Sequence, residues 1–265
     1  MIFHSSFEYI YLWLPLAGFV VGLIGSMVGG GGGFFFLPLL TLLFNVQPQI
    51  AVATSLSATI PICVVGSYGH YRHGNLAIRK GLAFAAAGIF GAIAGASLVK
   101  IMSVEHLKTS FGVYSILIAT HMLINNRKRK IAEANGTVLS PGSRLQNLAK
   151  CIFFGFLAGL ITGTFGTSGN APVMAGLFTM QIPLSVVLGT TLMVVSANTI
   201  SSFFAHTMVG DIDLTLVYFL TSGTIIGALA GPRLMAKIKV NRADGAVRKW
   251  YALGMIAFGV LMIIA

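Results

Sequence analysis

Residues 22–44 read GLIGSMVGGGGGFFFLPLLTLLF, five consecutive glycines, Gly29 to Gly33, set between two apolar runs. A continuous helix through this stretch is disfavoured, since each interior glycine costs about 1 kcal/mol relative to alanine. The run that follows ends at Phe44 and is too short to cross about 30 Å of hydrocarbon without tilting. The segment therefore reads as a broken helix with a short second arm. A second interruption occurs at 159–178, GLITGTFGTSGNAPVMAGLF, where Thr162 to Asn170 are dense in Gly, Thr and Ser and a short run from Ala171 to Met180 follows.

The rest of the chain says what these breaks interrupt. Of 265 residues, 56% are apolar and only 9% charged, whereas an ordinary soluble domain carries roughly one quarter charged residues. Apolar runs at Tyr9 to Val28, Ile50 to Tyr68, Gly81 to Val99, Leu184 to Phe204 and Leu214 to Gly231 each approach the ~20 residues of a transmembrane helix. The opening, MIFHSSFEYIYLW, has no Lys or Arg ahead of its apolar run, so the first helix is expected to be retained. Cys63 and Cys151 are far apart and form no metal or redox motif, so they read as core residues. The net charge of +11 comes from basic residues in short loops and forms no basic domain, so no nucleic acid is expected as a partner.

Shifting the chain by 136 positions (190 − 54) superposes Thr54-Ser55-Leu56 on Thr190-Thr191-Leu192, His70 on His206, Gly74 on Gly210 and Asn75 on Asp211. Further along, Gly91-Ala92 meets Gly227-Ala228 and Ala94-Gly95 meets Ala230-Gly231. The repeat divides the chain into a first transmembrane unit (1–124), a linker (125–149) and a second unit (150–265). Lys and Arg in short loops mark the cytoplasmic side. Taking 71–80, 125–150 and 233–249 as cytoplasmic leaves only Lys100 and Lys108 of 17 basic residues outside. The loop 207–213, equivalent to the first of these, holds two Asp and no base, so equivalent loops face opposite sides. The expectation is an all-α membrane protein of two inverted-topology repeats, about five hydrophobic segments each, with one broken helix pair per repeat. Both termini are expected outside the inner membrane, with a flexible linker inside.

Irregular backbone at membrane depth is tolerated where protein buries it or where it lines a polar cavity. Paired interruptions at corresponding places point to a transporter's substrate site. The first N–H groups of the short helix after each break have no helical partner and suit an anion. Candidate substrate contacts are Gly30, Gly31, Gly32 and Gly33 in the first half, and Thr167, Ser168, Gly169 and Asn170 in the second. Thr54, Ser55, Thr190 and Thr191 follow the breaks and either line the cavity or bond to their own helix backbone. His70 and His206 are candidates for gates or titrating contacts, with polar caps at the membrane interface as the alternative. Gly18, Gly22, Gly91, Gly95, Gly227 and Gly231, spaced for close helix approach, read as packing. No apolar span contains a carboxylate, which disfavours a cation substrate. No nucleophile and base spacing or metal cluster appears, so neither an enzyme nor a cofactor is expected.

GSMVGGGGGFFFLPLL followed by AVATSL resembles the TauE/SafE family of sulfite exporters, whose repeats open with a glycine-rich stretch, a proline and an Ala-x-x-Thr-Ser segment. The resemblance spans both repeats and implies transport of sulfite, thiosulfate or organosulfonates across the cytoplasmic membrane. By position it implicates Gly29 to Gly33, Pro38, Thr54 and Ser55, then Gly166, Gly169, Pro172, Thr190 and Thr191. In the second half, Thr-Ser-Gly-Asn stands where glycines would be expected, which bears on the anion head group that fits. A passive anion channel, or a carrier for another small organic anion, shares the same features.

Overall fold

The computed structural model describes residues 2–5, 7–28, 32–135, 143–180, 182–209, 211–237 and 240–264. A 3-10 turn at Tyr9–Trp13 runs into α1 (Leu14–Val28), and after the glycines α2 (Phe36–Pro38) continues as a π-helical turn, Leu39–Leu43. The first half is completed by α3 (Pro48–Arg72), α4 (Ile78–Ile101) and α5 (Val104–Asn135). The second half follows the same order with α6 (Arg144–Phe165), α7 (Asn170–Phe178), α8 (Leu184–Val209), α9 (Leu214–Lys237) and α10 (Val240–Ile264).

Among the described residues, five helices are long and apolar enough to cross a bilayer: Tyr9–Ser26, Pro48–Arg72, Ile78–Ile101, Arg144–Phe165 and Ser185–Met208. Two shorter apolar helices, Leu214–Ala230 and Ala252–Ile264, accompany them. The outer surface carries Phe90, Phe153, Phe204 and Ile226, each at least 60% exposed. Water would not tolerate so apolar a surface and lipid does. The chain is a multi-pass membrane protein.

The two halves exchange helices. α1 lies along α9, and α6 lies along α4. Gly18 faces the Leu220 carbonyl and Gly22 that of Thr224, and in the same manner Gly155 faces Phe84 and Gly159 faces Gly88. The positions differ by 137 (155 − 18) on one helix and 136 (220 − 84) on the other. Gly91, Gly95 and Gly227 also meet backbone carbonyls of the partner helix, so these glycines serve packing as the sequence suggests. With no hydrophobic drive between helices in lipid, such close backbone approach is what holds them together.

α3 and α8 cross antiparallel at the centre, with Gly66 on Leu192 and His70 beside Gly189. Cys63 is fully buried against Leu192 and Val195, and Cys151 is 3% exposed in a second apolar cluster; both are free thiols in the core.

Two local features depart from the sequence reading. α5 continues to Asn135 and α6 begins at Arg144, so both described ends of the stretch 125–149 are helical, while residues 136–142, with Ser140-Pro141-Gly142, lie outside the described residues. The Lys, Arg, Ala and Glu of the stretch are good helix formers. Ser143 and Gln146 form a reciprocal capping box that starts α6. The other feature is a short parallel bridge between β1 (Ile2–Phe3) and β2 (Ile212–Asp213). The buried Asp213 carboxylate fastens it, accepting from the N–H groups of Ser5 at 3.2 Å and Thr215 at 2.9 Å.

Candidate functional site

Each break folds back over the helix that precedes it. α6 ends where Gly166 takes a left-handed conformation, φ 64°, with its N–H on the Thr162 carbonyl. Glycine adopts this conformation without the penalty that a Cβ brings. Thr162 then braces the loop: its hydroxyl donates to the Ala158 carbonyl at 2.8 Å and accepts from the Gly169 N–H at 3.0 Å. In the first half Gly32, also at φ 64°, packs over Val21 and Gly25, while Gly169 packs over Ala158 and Thr162. Both pairs differ by 137 (169 − 32; 158 − 21), so the two loops turn back in the same way.

The two loops also meet. A Cβ at Gly33 would lie 3.1 Å from the Ser168 amide nitrogen and would collide with the Thr59 hydroxyl. Ser55 of α3 donates its hydroxyl to the Gly166 carbonyl at 2.8 Å, and the same oxygen lies 2.8 Å from the carbonyl of Val52. Rings from both breaks wall this junction. Phe34 follows the first break and Phe165 precedes the second, and Phe111 of α5 lies 5.1 Å from one and 5.7 Å from the other. Tyr114 stacks on Phe165 at 5.4 Å.

Among the sequence candidates, Gly33, Ser55, Thr167, Ser168 and Gly169 thus belong to one place or to the loops that form it. The Thr167 hydroxyl is fully buried and has no hydrogen-bond partner. Asn170 opens α7 directly after the loop. Gly30 and Gly31 lie outside the described residues. Thr54 spends its hydroxyl on its own helix, donating to Ile50 at 3.0 Å. Thr190 accepts from the Ala77 N–H at 2.9 Å and so fastens the α3–α4 loop. Thr191 is fully buried with an unpartnered hydroxyl.

The two histidines part company. His70 lies half-buried in the last turn of α3, beside the start of α8. His206 is only 2% exposed, and its Nε2 lies 2.8 Å from the Gly163 carbonyl, one turn before the second break. It sits in the last turn of α8, packed against α6. It lines a cleft of about 390 Å³ together with Gln47, Gln49, Lys100 and Asp211. The antiparallel crossing of α3 and α8 puts this cleft and His70 at opposite ends of the helix pair.

Several residues of this region were not among the sequence candidates: Thr59, Thr162, Asn198, Ser202 and the aromatic wall. Asn198 carried a legible signal, an amide in the middle of an apolar span. The others look like ordinary lipid-helix residues until their partners are known.

The family model for sulfite exporter TauE/SafE matches residues 14–262. Among the similar proteins is "Probable membrane transporter protein YdhB" of Bacillus subtilis (strain 168), 29% identical over 237 residues, covering 86% of this chain and 93% of that one. A protein from Xylella fastidiosa (strain 9a5c) with the same description, without the final designation, is 25% identical and covers 94% of this chain and 91% of its own. YunE of Bacillus subtilis (strain 168), likewise described, is 24% identical and covers 86% of this chain and 89% of its own. No solved structure matches.

Proposed function

As the chain belongs to the sulfite exporter TauE/SafE family, we propose that this membrane transporter carries a small sulfur-containing anion, of the sulfite, thiosulfate or organosulfonate class, across the cytoplasmic membrane. The observation that carries the reading is the meeting of the two helix breaks, with the Gly33 backbone against the Ser168 amide. Two irregular loops are buried at one place, and the unpartnered Thr167 hydroxyl supplies a donor there. Donors without nearby carboxylates suit negative charge. All six acidic residues lie at helix ends or in loops.

The halves are inverted repeats, 1–124 and 150–265, that rock against each other to expose the site alternately. Support comes from helix direction. α1 and α9 both begin beside the β1–β2 bridge, whereas α6 and α4 pack in parallel beginning at the other end. Arg72, Arg79, Lys80, Arg144 and Lys150 gather at that second end, which is the cytoplasmic side by the bias of basic residues. Both termini are then outside. A dianion leaving a cell with a negative interior gains about 4.6 kcal/mol per 100 mV, so export needs no coupling ion.

The test is flux into and out of liposomes, against sulfite, thiosulfate, sulfoacetate, taurine and chloride. Saturable flux of the sulfur oxyanions with counterflow is expected. Single-channel currents would make the protein a pore, and flux of none of the sulfur compounds would remove the substrate class.

A further inference from the structure

α8 has two kinds of hydroxyl. Ser196, Thr199 and Thr207 donate to carbonyls three or four residues back, at 2.7, 2.7 and 2.6 Å, the usual way for Ser and Thr in a membrane helix to satisfy themselves. Thr191 and Ser202 leave this bond unmade although both are fully buried. Asn198, also fully buried, has neither Oδ1 nor Nδ2 bonded. Its amide is wedged against Gly88 of α4, where a Cβ would lie 2.8 Å from Nδ2, and the Gly88 carbonyl in turn faces Gly159 of α6.

These side chains share a direction. At about 100° per residue, positions 191, 198, 202 and 206 fall within roughly 80° of one another. His206, at the end of this stripe, lines the open cleft and touches α6 at Gly163. Ser202 lies one turn deeper and Asn198 about 12 Å along the axis from His206. The repeat-equivalent positions on α3 are Ser55, Ile62, Gly66 and His70, so the stripe is polar throughout in only one half. An amide and two hydroxyls without partners in a lipid-embedded interior are costly unless something polar visits them.

We propose that this face of α8 is the route by which the substrate passes from the cleft at His206 toward the helix breaks, with Asn198 a direct substrate contact. The inference rests on the anion-carrier reading for the identity of what passes, and on geometry alone for the route. The Asn198 Nδ2 and the Ser202 hydroxyl supply neutral donors to a partly dehydrated oxyanion, and the Asn198 Oδ1 accepts from the water or hydroxyl travelling with it.

The experiment has two arms, both on the full chain in liposomes. In a background with Cys63 and Cys151 replaced by alanine, Asn198→Cys and Ser202→Cys are expected to react with a small water-soluble methanethiosulfonate. Phe204→Cys, on the lipid side, should not. Reaction no faster than at Phe204 overturns the route. In the second arm, Asn198→Leu is expected to lower flux of the best-carried anion by about tenfold or more, the loss of one hydrogen bond to a charged group. Its melting temperature in detergent should stay level or rise, because an unpaired amide has been removed. Unchanged flux, or a fall in melting temperature alongside the fall in flux, would make Asn198 a structural residue and overturn its role. If the unmodified protein carries no anion of the panel, the anion reading fails and the labelling arm alone decides the route.

Discussion

Ser55 and Gly166 stand 111 positions apart and are joined by a hydrogen bond from the Ser55 hydroxyl to the Gly166 carbonyl at 2.8 Å. Gly166 ends α6, so its carbonyl has no helical partner, and Ser55 supplies one from the other half of the molecule. The bond fixes the second break against α3 beside the place where Gly33 meets Ser168.

Replacing Ser55 with alanine leaves that buried carbonyl without its partner. A loss of about 1–3 kcal/mol is expected, read as a lower thermal midpoint in detergent, together with reduced flux. If both stay at the level of the parent protein, the bridge is not holding the break.

Gly33→Ala tests the meeting of the two loops more directly. Its Cβ would collide with the Thr59 hydroxyl and sit 3.1 Å from the Ser168 nitrogen, so the loops must part. Flux should fall to background while insertion and oligomeric behaviour in detergent match the parent. Normal flux would show that the loops need not touch for transport.

Packing glycines should behave differently. At Gly159 any side chain runs into the Gly88 carbonyl on the α4–α6 seam, and Gly159→Leu should cost several kcal/mol, seen as poor insertion or aggregation during purification. Gly69 has open space around it, and Gly69→Ala should be tolerated. Equal tolerance at both sites would contradict the close α4–α6 approach.

Topology is checked by single cysteines at Arg144 and Asp211 in the background free of native thiols. A membrane-impermeant thiol reagent should label the first only from the cytoplasmic side and the second only from the opposite side. Labelling of both from one side would sink the inverted arrangement.

Much of the fold was legible in the chain. The apolar runs, the glycine interruptions and the 136-residue offset each come from local composition or from comparing the chain with itself, and the helices formed where the runs lay. The described ends of the linker stretch are helical, to Asn135 and from Arg144, where Ser143 caps the helix, and residues 136–142 lie outside the described residues. The candidate site was legible in part. The structure brings Gly33, Ser168 and Ser55 with Gly166 to one place, whereas Thr190 holds the Ala77 loop and His206 reaches the Gly163 carbonyl.

The sequence by itself determined that this chain crosses a membrane repeatedly and that its helices are interrupted at two glycine-rich stretches. These follow from hydropathy and backbone freedom, which are properties of residues and their spacing. Only the tertiary structure decided that α1 packs on α9 and α6 on α4, that Gly33 meets Ser168, and that Asn198 and Ser202 are left without partners. A small residue on a membrane helix permits close approach without naming the helix that approaches, and a hydroxyl shows whether it is satisfied only once its neighbours are in place.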